Sequence, residues 1–146
     1  MRAEENTIVS SAVPGHIAVR RIGQSGHAPS SLQVSCEVLH RPDNTLSSVL
    51  RIAGSVDSST SDELLAKIAA QLGISYLARL IIDLEGVARL DSSGVGVLLT
   101  ALRDSQKRGV RFTLCSLSRP LFAMLERMHL ASLFEIRATL ADAVNF

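Results

Sequence analysis

Residues 79–98, ARLIIDLEGVARLDSSGVGV, set two different hydrophobic periods end to end. Residues 80–84 are apolar except for Asp83, as in a strand covered on both faces. From Val95 onward the apolar positions are Val95, Leu98, Leu99 and Leu102, the i, i+3, i+4, i+7 signature of an amphipathic helix. A chain that lays a buried strand and then a one-sided helix is confined to a layered strand–helix architecture. The pattern predicts a strand over residues 78–84, a short polar connection, and a helix over about 93–108 that Gly109 closes. Asp91-Ser92-Ser93-Gly94 opens that helix, so two hydroxyls and a carboxylate sit where free backbone N–H groups and the positive end of the helix dipole converge.

The same alternation continues on either side. Val34, Cys36 and Val38 alternate within a strand at 33–40, a Pro-Asp-Asn turn follows, and residues 48–53 complete a hairpin. Gly54 to Ser59 reads as a loop, after which Thr60 and Glu63 fit a capping box for a helix carrying Leu64, Leu65, Ile68, Ala69 and Leu72, with Gly73 as a left-handed stop. Residues 110–115 form a further strand. Ser118 caps a helix with Pro120 in its first turn, and that helix carries Leu121, Phe122, Leu125 and Met128. A last strand at 134–137 and a short helix at 139–146 close the chain. The fold class is therefore α/β: a mostly parallel mixed sheet of about five strands, the first antiparallel, with about four helices. Residues 32–146 make the folded domain. Residues 1–31, rich in Ser, Gly and Pro, read as a flexible N-terminal extension with room for a short strand at 16–22 around Ile17 and Val19.

Composition narrows the function classes. The net charge of +1 includes no long basic block, and aromatic residues make up 3%, so neither an electrostatic footprint nor a stacking platform for nucleic acid is present. The N-terminus lacks the apolar core of a signal peptide, and no run approaches the roughly 18 apolar residues of a membrane span, so the expected compartment is the cytoplasm. His16, His27, His40 and His129 are scattered, and Cys36 and Cys115 lack metal-ligand spacing, so no metal and no cofactor are expected. Both cysteines fall in predicted strands and read as core thiols. Cys115 ends a strand on the edge that also carries Ser93, which leaves redox modulation of Cys36 and Cys115 as a minor reading. No phosphate loop, nucleophile elbow or acid/base pair can be assembled, so no catalytic residue is assigned.

Two segments in order carry a family likeness. Gly54-Ser55-Val56-Asp57 stands where the family has Gly-Glu-Leu-Asp. Asp83-Leu84 through Leu90-Asp91-Ser92-Ser93-Gly94-Val95-Gly96-Val97-Leu98 follows the pattern D-L-x-x-V-x-x-[LIM]-D-S-[ST]-G-[LV]-G-x-L. On these residues the chain resembles the STAS domain, the fold of bacterial anti-sigma factor antagonists. The likeness covers about residues 32–146.

The resemblance implies an anti-sigma factor with serine kinase activity as partner. That partner would phosphorylate the serine before the glycine, Ser93, with Ser92 the nearest competitor, and a phosphatase would act on the phosphorylated form. The implied docking surface comprises Asp57, Ser58, Asp91, Ser92, Ser93, Gly94 and Val95. Ser55-Val56 departs from the family by lacking a carboxylate. From the residues alone, Asp91 either orients a hydroxyl or caps the helix, and Ser92 either accepts phosphate or makes the cap bond itself. A stressosome-like scaffold and a small-molecule or nucleotide sensor share the fold and stay open at this point.

Overall fold

Alternating burial in the strands and one-sided burial in the helices produce a sheet with helices on both faces in the computed structural model, which describes residues 17–22 and 32–145. The strands are β1 (Ile17–Ile22), β2 (Leu32–His40), β3 (Leu46–Val56), β4 (Leu77–Leu90), β5 (Arg111–Cys115) and β6 (Glu135–Arg137). The helices are α1 (Ser61–Leu72), α2 (Ser92–Lys107), α3 (Arg119–Arg127) and α4 (Leu140–Asn145), with a single 3-10 turn at Ala131–Leu133. One sheet runs in sequential order from β1 to β6. β1–β2 and β2–β3 are antiparallel, and every later pair is parallel. The strand at Ile17–Ile22 therefore adds a sixth, edge strand to the five expected, and the sheet begins ahead of Leu32.

Odd and even positions of the strands face different covers. Val34, Leu50, Ile52, Leu80, Ile82, Leu84, Phe112 and Leu114 pack under Leu64 and Ile68 of α1, Val95, Leu98 and Ala101 of α2, and Leu121 and Leu125 of α3. The opposite face is covered by one short helix, with Ala143 and Val144 of α4 against Leu39, Val49, Ile81 and Cys115. Arg79 is buried there and donates to the carbonyls of Ala143 and Val144, so it caps the C-terminal end of α4. Burial, reinforced by the neighbouring Arg111, Arg41 and Arg137 guanidiniums, lowers the pKa of Arg79 to about 10. It still carries its charge at neutral pH.

Several sequence expectations change. β4 does not stop at Leu84 but runs on to Leu90, so the supposed polar connection is strand. Its upper half pairs with Ala53–Val56 of β3, of which Gly54–Val56 is strand rather than the expected loop. At the register shift Gly86 lies against β3, where a Cβ would stand 2.9 Å from Ala53 Cβ. Gly73 ends α1 with φ −83, so it is no left-handed stop, whereas Gly109 takes φ +70 after α2 as expected. The capping box of α1 is absent. Thr60 Oγ1 instead accepts from Asp57 N at 3.0 Å and donates to Ser55 O at 2.9 Å. Ser118 does cap α3, accepting from Leu121 N at 3.3 Å. Ala69, Phe122 and Met128 are exposed rather than core.

Candidate functional site

The parallel pairing of β3 with β4 ends at Val56 opposite Leu90, so the segments after the two strands emerge side by side. Asp91 N donates to Val56 O at 3.1 Å, tying the second segment to the first. Asp91 then holds extended backbone at the N-cap of α2, and its Oδ1 accepts from Ser93 N at 2.9 Å and Gly94 N at 3.2 Å. Its backbone carbonyl accepts the first helical bond, from Val95 N at 2.9 Å. The cap is therefore Asp91 and not Ser92, which occupies the first helical position.

That assignment separates the two serines. Ser92 is exposed, whereas Ser93 is half-buried. Gly94 is buried beneath them, and a Cβ there would stand 2.4 Å from Leu90 Cδ1 and 3.0 Å from Val56 O. Val95 is a core residue packed into the helix-covered layer, so it fixes α2 rather than offering surface.

The segment after β3 is organised by its own carboxylate. Asp57 Oδ1 accepts from Ser59 N at 2.9 Å and Ser59 Oγ at 2.7 Å, while its backbone carbonyl accepts from Thr60 N and Ser61 N. The Ser59 hydroxyl, followed by the Ser59 amide, holds the Asp57 carboxyl below the usual carboxylate range. Ser58 and Ser59 are exposed at the tip. Asp57, Ser58, Asp91, Ser92, Ser93 and Gly94 are thus brought together at the C-terminal ends of the two central strands β3 and β4. The buried Thr60, which locks the Asp57 turn, and the Val56 carbonyl were not expected there. The only sequence hint of Thr60 was its fit to a motif it does not form.

Neither cysteine lies at this end of the sheet. Cys115 pairs with Asp83, and the seven further residues of β4 carry Leu90 roughly 23 Å beyond that level. The thiol of Cys115 is buried and pushed up to about 12, chiefly by burial and then by the Asp83 carboxylate. Cys36 is half-buried, its pKa also raised by burial, and it packs on the opposite face of the sheet from Cys115. Neither has the exposed, low-pKa thiolate that redox sensing uses.

A cavity of about 270 Å³ lined by Gln33, Ser35, Arg51, Asp83 and Glu85 opens over β2–β4, and its lining contains no residue of the Asp91–Gly94 turn. Among the described residues no group of three His, Cys, Asp or Glu side chains is placed to hold a metal ion, and no helix is long and apolar enough to cross a membrane.

The STAS domain family model matches residues 36–143. This chain belongs to the STAS domain family. The STAS domain is 24% identical over 97 residues to an anti-sigma F factor antagonist of Paenibacillus polymyxa, covering 66% of this chain and 80% of the relative. An anti-sigma factor antagonist from Mycobacterium paratuberculosis superposes with a TM-score of 0.66 at 25% identity, over 81% of this chain and 95% of that one. The anti-sigma factor antagonist SpoIIAA in its unphosphorylated form superposes with a TM-score of 0.59 at 24% identity, over 68% of this chain and 85% of its own. The sheet order and the mixed pairing are those of the STAS fold.

Proposed function

We propose that this STAS domain is an anti-sigma factor antagonist that binds an anti-sigma factor through the paired segments after β3 and β4 and is released by phosphorylation of a serine in the Asp91–Gly94 turn. Family membership and the names of its relatives support the partner class. The observation that carries the switch is the exposed Ser92 beside a cap already made by Asp91, which leaves that hydroxyl unused by the helix. Exposure thus ranks Ser92 ahead of Ser93 as acceptor, the reverse of the order drawn from the position of the glycine. The anti-sigma factor supplies the kinase activity, and a phosphatase restores the binding form.

Charge arithmetic says what the modification does. A phosphate adds about −1.5 to −2 charges. At the N-terminus of α2 the dipole favours that charge by about 0.3–1 kcal/mol, so the domain stays folded. At a docked surface the same phosphate stands beside Asp57 and Asp91 and must lose its water. Like-charge contact costs several kcal/mol, and about 2.8 kcal/mol already weakens binding a hundredfold.

Incubation with ATP and each anti-sigma factor of the same genome, followed by intact-mass and site-mapping mass spectrometry, tests the reading. One phosphate on Ser92 or Ser93, binding retained by the alanine variant at that serine and binding lost by its aspartate variant support it. Equal affinities of the alanine and aspartate variants overturn the switch.

A further inference from the structure

On the face of the sheet that it covers, α4 packs over Leu39, Val49, Ile81 and Cys115 and leaves the rest open. The next row on that face is Ser35 of β2, Arg51 of β3 and Asp83 of β4, which stand opposite one another in the ladder. Above it the register shift in β4 brings Gly86 opposite Ala53, so two of the smallest residues leave the surface low. The result is the cavity of about 270 Å³ already described. That volume is close to the lower end of the range for small-molecule sites, about 300–1,000 Å³. Its floor at Ala53 and Gly86 is apolar, and its rim carries the exposed Gln33 and Glu85.

Asp83 is the group in this cavity that the fold leaves incompletely satisfied. It is 5% exposed. Its Oδ1 accepts from Glu85 N at 3.0 Å, but its Oδ2 has only Arg51 Nε, 3.7 Å away and beyond hydrogen-bond distance. Arg51 gives its hydrogen bond to Glu37 Oε1 instead, at 3.2 Å. A buried carboxylate oxygen with no donor is costly, more so than a neutral acceptor. The lining thus sets one half-buried guanidinium against two carboxylates, Asp83 and Glu85, with the Ser35 hydroxyl and the Gln33 amide beside them. Water can fill such a space, but it brings no charge.

We infer that this cavity is a binding site for a small organic cation, an ammonium or guanidinium head on a short aliphatic body. The head donates to Asp83 Oδ2 and to the Ser35 hydroxyl, Glu85 adds charge at the rim, and the body lies on Ala53 and Gly86. The two carboxylates that attract a cation repel an anion of the same size. The site opens on the side of the sheet away from α1 and α2, and it does not rest on the function proposed above.

Agmatine, which carries both kinds of head on one short chain, is the probe. It is titrated into the full chain and followed by calorimetry and by backbone amide shifts. One equivalent is expected to bind, with shifts centred on residues 33–35, 51–53 and 83–86, and succinate is expected to leave those shifts unmoved. Asp83→Asn keeps the shape and removes the charge, whereas Ser35→Ile fills the space with a good strand former. Each is expected to weaken agmatine binding at least about tenfold, while Glu126→Gln, which removes an exposed carboxylate on α3, binds as the native chain does. Should Asp83→Asn not fold, Ser35→Ile decides alone. Native-like affinity in either folded variant, shifts spread over the surface carboxylates, or no binding of agmatine at millimolar concentration overturns the site. The same shifts with Mg²⁺ alone overturn the organic ligand.

Discussion

Gly94 and Val56 touch so closely that no side chain fits between them: a Cβ on Gly94 would lie 2.9 Å from Val56 Cγ1 and 3.0 Å from the Val56 carbonyl oxygen. The contact presses the first turn of α2 onto the end of β3 and sets the spacing of the two segments that carry Asp57 and Ser92. Gly94→Ala must push backbone away, because the carbonyl oxygen cannot rotate aside. It is expected to cost about 1–3 kcal/mol, read as a fall in urea midpoint. Truncation of Val56 to Ala in the same chain should recover only part of the loss.

Asp91 stabilises the domain through its cap before it takes part in any recognition. Asp91→Ala leaves the Ser93 and Gly94 amides without their acceptor and is expected to lower stability by about 1 kcal/mol. Asp91→Asn keeps an acceptor oxygen and should stay close to the native chain. Equal losses in thermal unfolding for the two variants would assign the effect to charge instead.

Glu135 gives the fold part of its acid sensitivity. Burial alone would raise its pKa, but hydrogen bonds from Arg111 and Arg137 more than reverse this and hold the carboxyl below the usual range. A group depressed on folding adds stability that is present above its unfolded pKa, about 4.3, and is lost as pH falls through the folded value. Glu135→Gln should therefore be less stable than the native chain at pH 7 and lose less on acidification from pH 5 to pH 3. Parallel urea midpoints for the two chains over that range would contradict this.

Cys115 should be inert in the native state. With its thiol at about 12, roughly one molecule in ten thousand carries the thiolate at pH 8, and the side chain has no solvent path. Ellman's reagent followed by peptide mapping should modify Cys115 only as fast as the domain opens, with the half-buried Cys36 reacting first. Rapid native-state labelling of Cys115 would reinstate a redox role.

The sequence was most legible where burial repeats. The strand–helix alternation, the hairpin, the turn at Gly109 and the Ser118 cap follow directly from periodicity and local hydrogen-bonding chemistry. The upper half of β4 did not follow. Past Leu84 only Val87 and Leu90 are buried, three apart, so the period of two vanishes although the pairing with β3 continues. Ladder bonds there do not require alternating side chains. Thr60 misled for a related reason: its hydroxyl is claimed by Ser55 and Asp57, a contact made only once β3 has been extended to Val56. Phe122 and Met128 had the right residue type for a core, but α3 buries Leu121 and Leu125, with Met124 partly buried beside them, and leaves Phe122 and Met128 outside. At the site, the order of the segments after β3 and β4 was legible, whereas the cap was not, because Asp91, Ser92 and Ser93 each carry a side chain that can take it.

Sequential strand order has a consequence for how the site is made. β3, α1, β4 and α2 follow one another along the chain and lie beside one another in space, so every group from Val56 to Gly94 belongs to one unbroken stretch. A ribosome that has released Lys107 has already delivered the whole switch, and only part of its cover, β5 through α4, is still to come. The junction is complete in sequence before the last quarter of the chain, while the core beneath it still waits for Phe112, Leu114, Leu121 and Leu125.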